Sequence, residues 1–284
     1  MTNSSQNHRE INVENSLDLI CIKEVEWMKN TKKYLITRIK SQNVNEVEDS
    51  VIVEYPLTIY IDQEEFITLL CSPKSLKCLA VGFLYSEGII ESKDDIEDVV
   101  VYEEKNIACV HLKNKRKLLE KQNKKRTVTS GCGKGSTFND VLGSIKKITE
   151  PITLKKEEVF SLSNEFGKKS DLFLTTGGVH SCAICKNDEI IMFEEDIARH
   201  NALDKILGRA FLEGINLDDK IILTSGRISS EILIKIAKRE IPVIISRSAP
   251  TDLAVEMAGR LNILLIGFAR GERMNLYSNF DKVK

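Results

Sequence analysis

The chain has 284 residues, 42% of them hydrophobic, and a formal net charge of −1 at pH 7. That length and composition suit a globular protein with a sizeable core, in one large domain or two small ones. The balanced charge argues against a general nucleic-acid binder, and no apolar run approaches a membrane span, so neither nucleic acid nor membrane is expected as a partner. Met1 to Glu14 is polar, without the apolar core of a secretory signal, and the seven cysteines are odd in number and scattered. This fits reduced thiols and a cytoplasmic location better than a disulfide framework.

In chain order, residues 1–15 read as a disordered tail. Leu35 to Leu70 is strand-like, with Val51-Ile52-Val53 and Leu57-Thr58-Ile59-Tyr60-Ile61 flanking Tyr55-Pro56. After Pro73, the spacing of Leu76, Leu79, Ala80, Phe83 and Leu84 predicts a helix to Glu87, stopped by Gly88. Val99 to Val101 and Ile107 to Leu112 read as strands. Between Lys113 and Arg126 lie eight Lys/Arg and one acid, Glu120, either a solvated face or a dock for an anionic partner.

The second half is more regular. Glu157 to Phe166 reads as a helix and Asp171 to Thr176 as a strand. Val179 to Ile184 and Glu189 to Phe193 form a strand pair turning at Asn187-Asp188. Leu203, Ile206, Leu207, Ala210 and Phe211 make a helical stripe. Strands Ile221 to Leu223, Val243 to Ile245 and Ile263 to Phe268 then alternate with helices Ser229 to Arg239 and Pro250 to Leu261. This alternation predicts an α/β sandwich with mostly parallel pairing.

Chemistry concentrates in a few places. Cys132 sits in Thr129-Ser130-Gly131-Cys132-Gly133-Lys134-Gly135-Ser136. Alternating glycines allow close approach of another body, and Lys134 favours the nucleophilic thiolate. The run reads as an activatable cysteine on a loop, or as a glycine-rich turn with an incidental thiol. Four expected strand ends carry polar or glycine-rich clusters: Thr175-Thr176-Gly177-Gly178, Thr224-Ser225-Gly226-Arg227, Ser246-Arg247-Ser248-Ala249-Pro250-Thr251, and Gly267 to Arg273. Ligands of open α/β sheets gather at such ends, and glycine amides, hydroxyls and arginines suit phosphate.

His180-Ser181-Cys182-Ala183-Ile184-Cys185 holds a Cys-x-x-Cys with a histidine. Zinc and disulfide cycling are both conceivable there, but a strand would turn Cys182 and Cys185 to opposite faces, which favours buried, unreactive thiols. No metal site is assigned. His180 is placed to reach the strand-end site or to serve structurally. Glu194-Glu195-Asp196 precedes Arg199, His200, Asp204 and Lys205; Asp196 reads as a helix cap. The set is either a cap with surface ion pairs or an acid–histidine group that orients a ligand.

Taken together, these segments resemble the formate dehydrogenase accessory sulfurtransferases, the FdhD family. The resemblance runs from Pro56 to Tyr277. Its carriers are Pro56-Leu57-Thr58-Ile59, Leu79 to Leu84 with Ser86-Glu87-Gly88-Ile89-Ile90, Ser130-Gly131-Cys132-Gly133-Lys134, and Thr176 to His180. Further carriers are Glu195-Asp196-Ile197 with Arg199 to Lys205, Thr224 to Arg227, Ser248 to Thr251, and Gly267 to Arg270 with Arg273-Met274-Asn275.

The resemblance implies a sulfur relay. Cys132 would accept persulfide sulfur from a cysteine desulfurase and pass it to the molybdenum (or tungsten) bis(molybdopterin guanine dinucleotide) cofactor of formate dehydrogenase. The cofactor would be bound as cargo by Phe268, Ala269, Arg270, Gly271, Glu272 and Arg273, with guanosine diphosphate (GDP) as a mimic. A homodimer is implied as well. The implied fold is a cytidine-deaminase-like α/β sandwich over 153–284 and a smaller mixed α+β N-terminal subdomain over 16–126, with the sulfur-carrying loop and linker at 127–152. The deaminase signature H-x-E with P-C-x-x-C is absent. The family often has Cys-x-x-Cys in the sulfur loop; here Thr129 stands at the first position, leaving a single-cysteine relay. The alternatives are a non-catalytic cofactor-binding chaperone, and a zinc or thiol redox protein built on Cys182 and Cys185.

Overall fold

The structure is a computed structural model that describes residues 30–113, 143, 145–149 and 152–284. Cys132, Lys134 and the basic run from 114 onward lie outside the described residues, as do residues 1–29. The strands β1 (Thr31–Lys40) and β2 (Asn43–Ile52) form an antiparallel hairpin. A four-stranded sheet follows, in the order β4-β3-β6-β5, from β3 (Tyr55–Ile61), β4 (Glu64–Cys71), β5 (Ile96–Tyr102) and β6 (Ile107–Leu112). In β3 every second residue, Tyr55, Leu57, Ile59 and Ile61, is buried, as period-two side-chain alternation requires of a strand with one covered face. The cover is α1 (Leu76–Glu87), which ends at Gly88 in the left-handed conformation.

The second sheet has the order β12-β11-β10-β9-β7-β8. Its strands are β7 (His180–Lys186), β8 (Glu189–Asp196), β9 (Ile221–Thr224), β10 (Val243–Ser246), β11 (Leu264–Arg270) and β12 (Arg273–Leu276). Helices α4 (Arg199–Glu213), α5 (Ser230–Ala237) and α6 (Asp252–Leu261) bury one face through Leu203, Ile206, Leu233 and Met257. On the other face α2 (Lys156–Lys168) lays Val159, Leu162 and Phe166. β9 and β10 are wholly buried because both faces are covered, which explains their unbroken apolar runs.

The mixed α/β character agrees with the sequence. The expected mostly parallel pairing does not: β9-β10 and β10-β11 are parallel, but β11-β12, β7-β9 and β7-β8 are antiparallel. Two hairpins, β7-β8 and β11-β12, close both ends of the sheet, and hairpin strands can only pair antiparallel. Asp171 to Thr176, expected as a strand, is a helix, α3 (Asp171–Thr176). Ser170 accepts the Phe173 amide as its cap, and Thr175 and Thr176 hydroxyls donate back to Asp171 and Leu172 carbonyls. These local bonds outweigh the strand propensity of a segment whose Phe173 and Leu174 stay exposed.

Helices α1 and α4 cross back to back between the two sheets. At the crossing a methyl on Gly82 would lie 1.7 Å from the Asp204 carbonyl oxygen, and one on Gly208 2.0 Å from that of Cys78. Two buried ion pairs flank this contact. Lys205 Nζ lies 2.6 Å from Asp196 Oδ2, and Lys235 Nζ lies 2.7 Å from Asp204 Oδ2, while the other carboxylate oxygen, Asp204 Oδ1, accepts from the Ser86 hydroxyl. No helix among the described residues is long and apolar enough to cross a membrane.

Candidate functional site

The C-terminal ends of β9, β10 and β11 are tied together by short polar bonds. Buried Ser246 Oγ donates to the Gly226 carbonyl and accepts the Ser248 amide. The Arg247 amide reaches Thr224 O, and the Phe268 amide reaches Ser248 O. Parallel strands thus deliver three loops to one edge, where a cavity of about 480 Å3 opens. Its wall includes Ser170, Phe173, Gly177, Gly178, His180, Ser225, Arg247 and Arg270.

The electrostatics of this cavity are one-sided. Among the described residues no Asp or Glu lines it, while Arg247 and Arg270 both do. Arg270 Nε donates to the Arg247 carbonyl at 2.9 Å, and Arg247 Nη1 donates to Ser163 O at 2.8 Å. Burial, then the charge of Arg270, lowers the pKa of Arg247 below the ordinary arginine value. Ser225 Oγ accepts the Ser181 amide at 3.0 Å and stands 3.3 Å from His180 Nδ1. Burial, then the charge of Arg199, lowers the pKa of His180, which favours the neutral imidazole. Behind the wall Glu195 Oε1 accepts from the Ser170 and Ser181 hydroxyls. The result is a concave site with two unopposed guanidiniums, glycine amides, hydroxyls and one half-exposed aromatic ring, Phe173. That donor set suits a phosphate joined to a planar ring.

The expected clusters converge only in part. Gly177, Gly178, Ser225, Arg247 and Arg270 reach the cavity, and so does His180. Arg227 is exposed and outside its lining. Within Phe268 to Arg273, Arg270 alone lines it. Phe268 is 36% exposed with φ 53, rare for a bulky residue, and Arg273 stacks over its ring at 6.0 Å. Ile266 and Ala269 both face α2 three residues apart, which unbroken alternation forbids; the bulge between Gly267 and Arg270 supplies the extra residue. That shift turns Ala269 inward and aims Arg270 at Arg247. Gly271 turns the hairpin at φ 57, and Glu272 is exposed beside it. Sequence reasoning passed over Ser170, Phe173 and Gly167; a glycine in the last turn of α2 was the available signal.

Cys182 and Cys185 are buried on opposite faces of the sheet, as strand geometry required. Burial pushes both thiols up, Cys185 to about 12, so neither is a ready nucleophile. Among the described residues no three His, Cys, Asp or Glu side chains are grouped to hold a metal ion.

The acidic and basic residues around α4 also resolve differently from either expectation. Asp196 lies in β8 and Ala198 is the N-cap; Asp196 Oδ1 accepts the Ala198 amide and Asn201 Nδ2. Asp204 and Lys205 are in buried rather than surface pairs, and Asp204 bonds to Lys235 while His200 faces Glu231. His200 Nε2 is 3.0 Å from Glu231 Oε2 at an angle that makes no hydrogen bond. Burial, Arg199 and Lys235 together outweigh that carboxylate and lower the His200 pKa to about 4. A folded value below the unfolded one, about 6.5, means protonation favours the unfolded chain. Stability contributed by neutral His200 is therefore full above about pH 6.5 and falls as pH drops toward 4. Urea unfolding from pH 7 to 4 should show this slope reduced in His200→Gln; identical slopes would refute it.

Fold and cavity define a mixed α/β protein with an anion-receptive cavity at parallel strand ends. The chain belongs to the FdhD/NarQ family, whose model matches residues 52–284. It is 44% identical over 252 residues to the sulfur carrier protein FdhD of Listeria innocua, covering 87% of this chain and 97% of that one. It is 38% identical over 251 residues to the protein of the same name from Bacillus subtilis, covering 88% and 96%. The fold matches the crystal structure of a protein described as a formate dehydrogenase accessory protein, from Desulfotalea psychrophila. The TM-score is 0.74 at 23% identity, over 90% of this chain and 100% of that one.

Proposed function

We propose that this protein is a cytoplasmic sulfurtransferase and carrier that serves formate dehydrogenase. A cysteine desulfurase loads sulfur on Cys132, and the cavity at the strand ends holds one nucleotide arm of the molybdenum or tungsten bis(molybdopterin guanine dinucleotide) cofactor as cargo. The names of the relatives support the sulfur-carrying part. The observation that carries the cargo part is the Arg247–Arg270 pair in a cavity that no carboxylate lines among the described residues. Its volume lies within the ~300–1,000 Å3 typical of small-molecule sites. The cytidine-deaminase-like assignment of 153–284, the division into subdomains and a homodimer belong to the same reading.

The chemistry needs one thiolate. Cys132 attacks the outer sulfur of the desulfurase persulfide, the donor S–S bond breaks, and the donor cysteine leaves as a thiolate. Cys132 then carries the sulfur as its own persulfide, with no net oxidation. In delivery an electron pair of the acceptor takes the terminal sulfur and Cys132 leaves as thiolate. Thr129 cannot resolve the persulfide as a second cysteine would, so the loaded form persists until an acceptor arrives.

Incubation with a cysteine desulfurase and L-cysteine should add about 32 Da, one sulfur atom, to the peptide containing Cys132. Labelling confined to Cys182 or Cys185 would overturn the assignment. Full activation of formate dehydrogenase by Cys132→Ala would leave only a cofactor-binding chaperone.

A further inference from the structure

Gly167 is the penultimate residue of α2 and has no positive φ that would demand glycine. Glycine within a helix costs up to about 1 kcal/mol relative to alanine. Its neighbourhood supplies the reason for tolerating that cost. A methyl group there would lie 2.5 Å from Arg247 Nη1, 3.1 Å from Cζ and 3.2 Å from Nη2. The guanidinium of Arg247 is seated against the bare Cα, and Ser163 O, one helical turn earlier, accepts from its Nη1.

We propose that Arg247 binds the phosphate of the cavity's ligand together with Arg270, and that Gly167 is a positioning residue that seats the Arg247 guanidinium. The proposal rests on the nucleotide-carrying reading above and names the residues that recognise the diphosphate. Three observations support it. The two arginines are adjacent, with Arg270 Nε on the Arg247 carbonyl, and neither has a carboxylate partner among the described residues. Adjacent unopposed cations repel each other unless an anion lies between them. The single tether from Arg247 to Ser163 leaves most of its five N–H donors free for a bidentate contact. The seat itself is made by removing a side chain from a helix that would otherwise gain from one.

The test uses the full chain with two probes, GDP and inorganic pyrophosphate, titrated by calorimetry. Arg247→Ala and Gly167→Ala should each weaken both probes by about tenfold or more, as the loss of a charge-assisted contact predicts. Arg247→Lys should remain weakened, because a point charge does not replace the fork. Gly167→Ala should melt at or above the parent temperature, which separates lost positioning from lost folding. The double variant should bind no more weakly than Arg247→Ala alone, because Gly167 acts through that residue.

Parent affinity in Arg247→Ala, or additive losses in the double variant, would overturn the proposal. If Arg270→Ala weakens binding while Arg247→Ala and Gly167→Ala do not, the inference fails and the cavity reading stands. If the parent binds neither probe, both fail.

Discussion

Asp196→Ala is expected to destabilise the fold by about 3–5 kcal/mol, the usual cost of stranding a buried charge. Lys205 and Asp196 are both fully buried between the β4–α1 connection and β8. Without Asp196, the Lys205 ammonium keeps, among the described residues, only neutral acceptors: Ser72 Oγ at 2.8 Å, Ser72 O at 3.1 Å and Glu195 O at 3.3 Å. The reverse change is milder. Lys205→Met leaves the Asp196 carboxylate with donors from Ser72 N, Ser72 Oγ, Ala198 N and Asn201 Nδ2, and should cost about 1–3 kcal/mol. Urea midpoints with an unchanged m-value would measure both losses. A larger loss in Lys205→Met than in Asp196→Ala would refute this account of the pair. The site should feel the change, since Glu195 beside Asp196 holds the hydroxyls of Ser170 and Ser181 at the cavity.

The second large effect is expected at the helix crossing. Gly208→Ala should cost about 3 kcal/mol, the upper end for overpacking, despite the better helix propensity of alanine. The clash is with rigid backbone, 2.0 Å from Cys78 O and 2.6 Å from Gly82 N, so no rotamer change relieves it. Gly82→Ala should behave alike, its methyl lying 1.7 Å from Asp204 O. Gly259 in α6 is the control, with nothing within 4 Å of the added methyl, and alanine there should stabilise by up to about 1 kcal/mol. Melting curves of the three variants decide the matter; equal shifts would mean the close crossing carries no energetic weight. Because α1 covers one sheet and α4 the other, prying them apart also loosens the ion pairs of Asp204 and Lys205 that sit beside the crossing.

Much of the secondary structure was legible in the chain. The alternation in β3 and the all-apolar runs of β9 and β10 are local signatures of one-face and two-face burial, and they appear as read. The opposite burial of Cys182 and Cys185 follows from strand geometry alone. α3 misled because its apolar and β-branched residues look like a strand, whereas one serine cap and two threonine back-bonds select a helix. The residue types that line the cavity were visible too, as arginines, glycines and hydroxyls after strands.

By itself the sequence determined the burial patterns of β3, β9 and β10, the span of α1 to Gly88, and which strand ends carry arginines, glycines and hydroxyls, because propensity and burial periodicity act within a few residues. Strand direction, the bulge that aims Arg270, and the seating of Arg247 on Gly167 depend on partners far along the chain. Only the tertiary structure decided them, because pairing and close packing are settled between segments rather than within one.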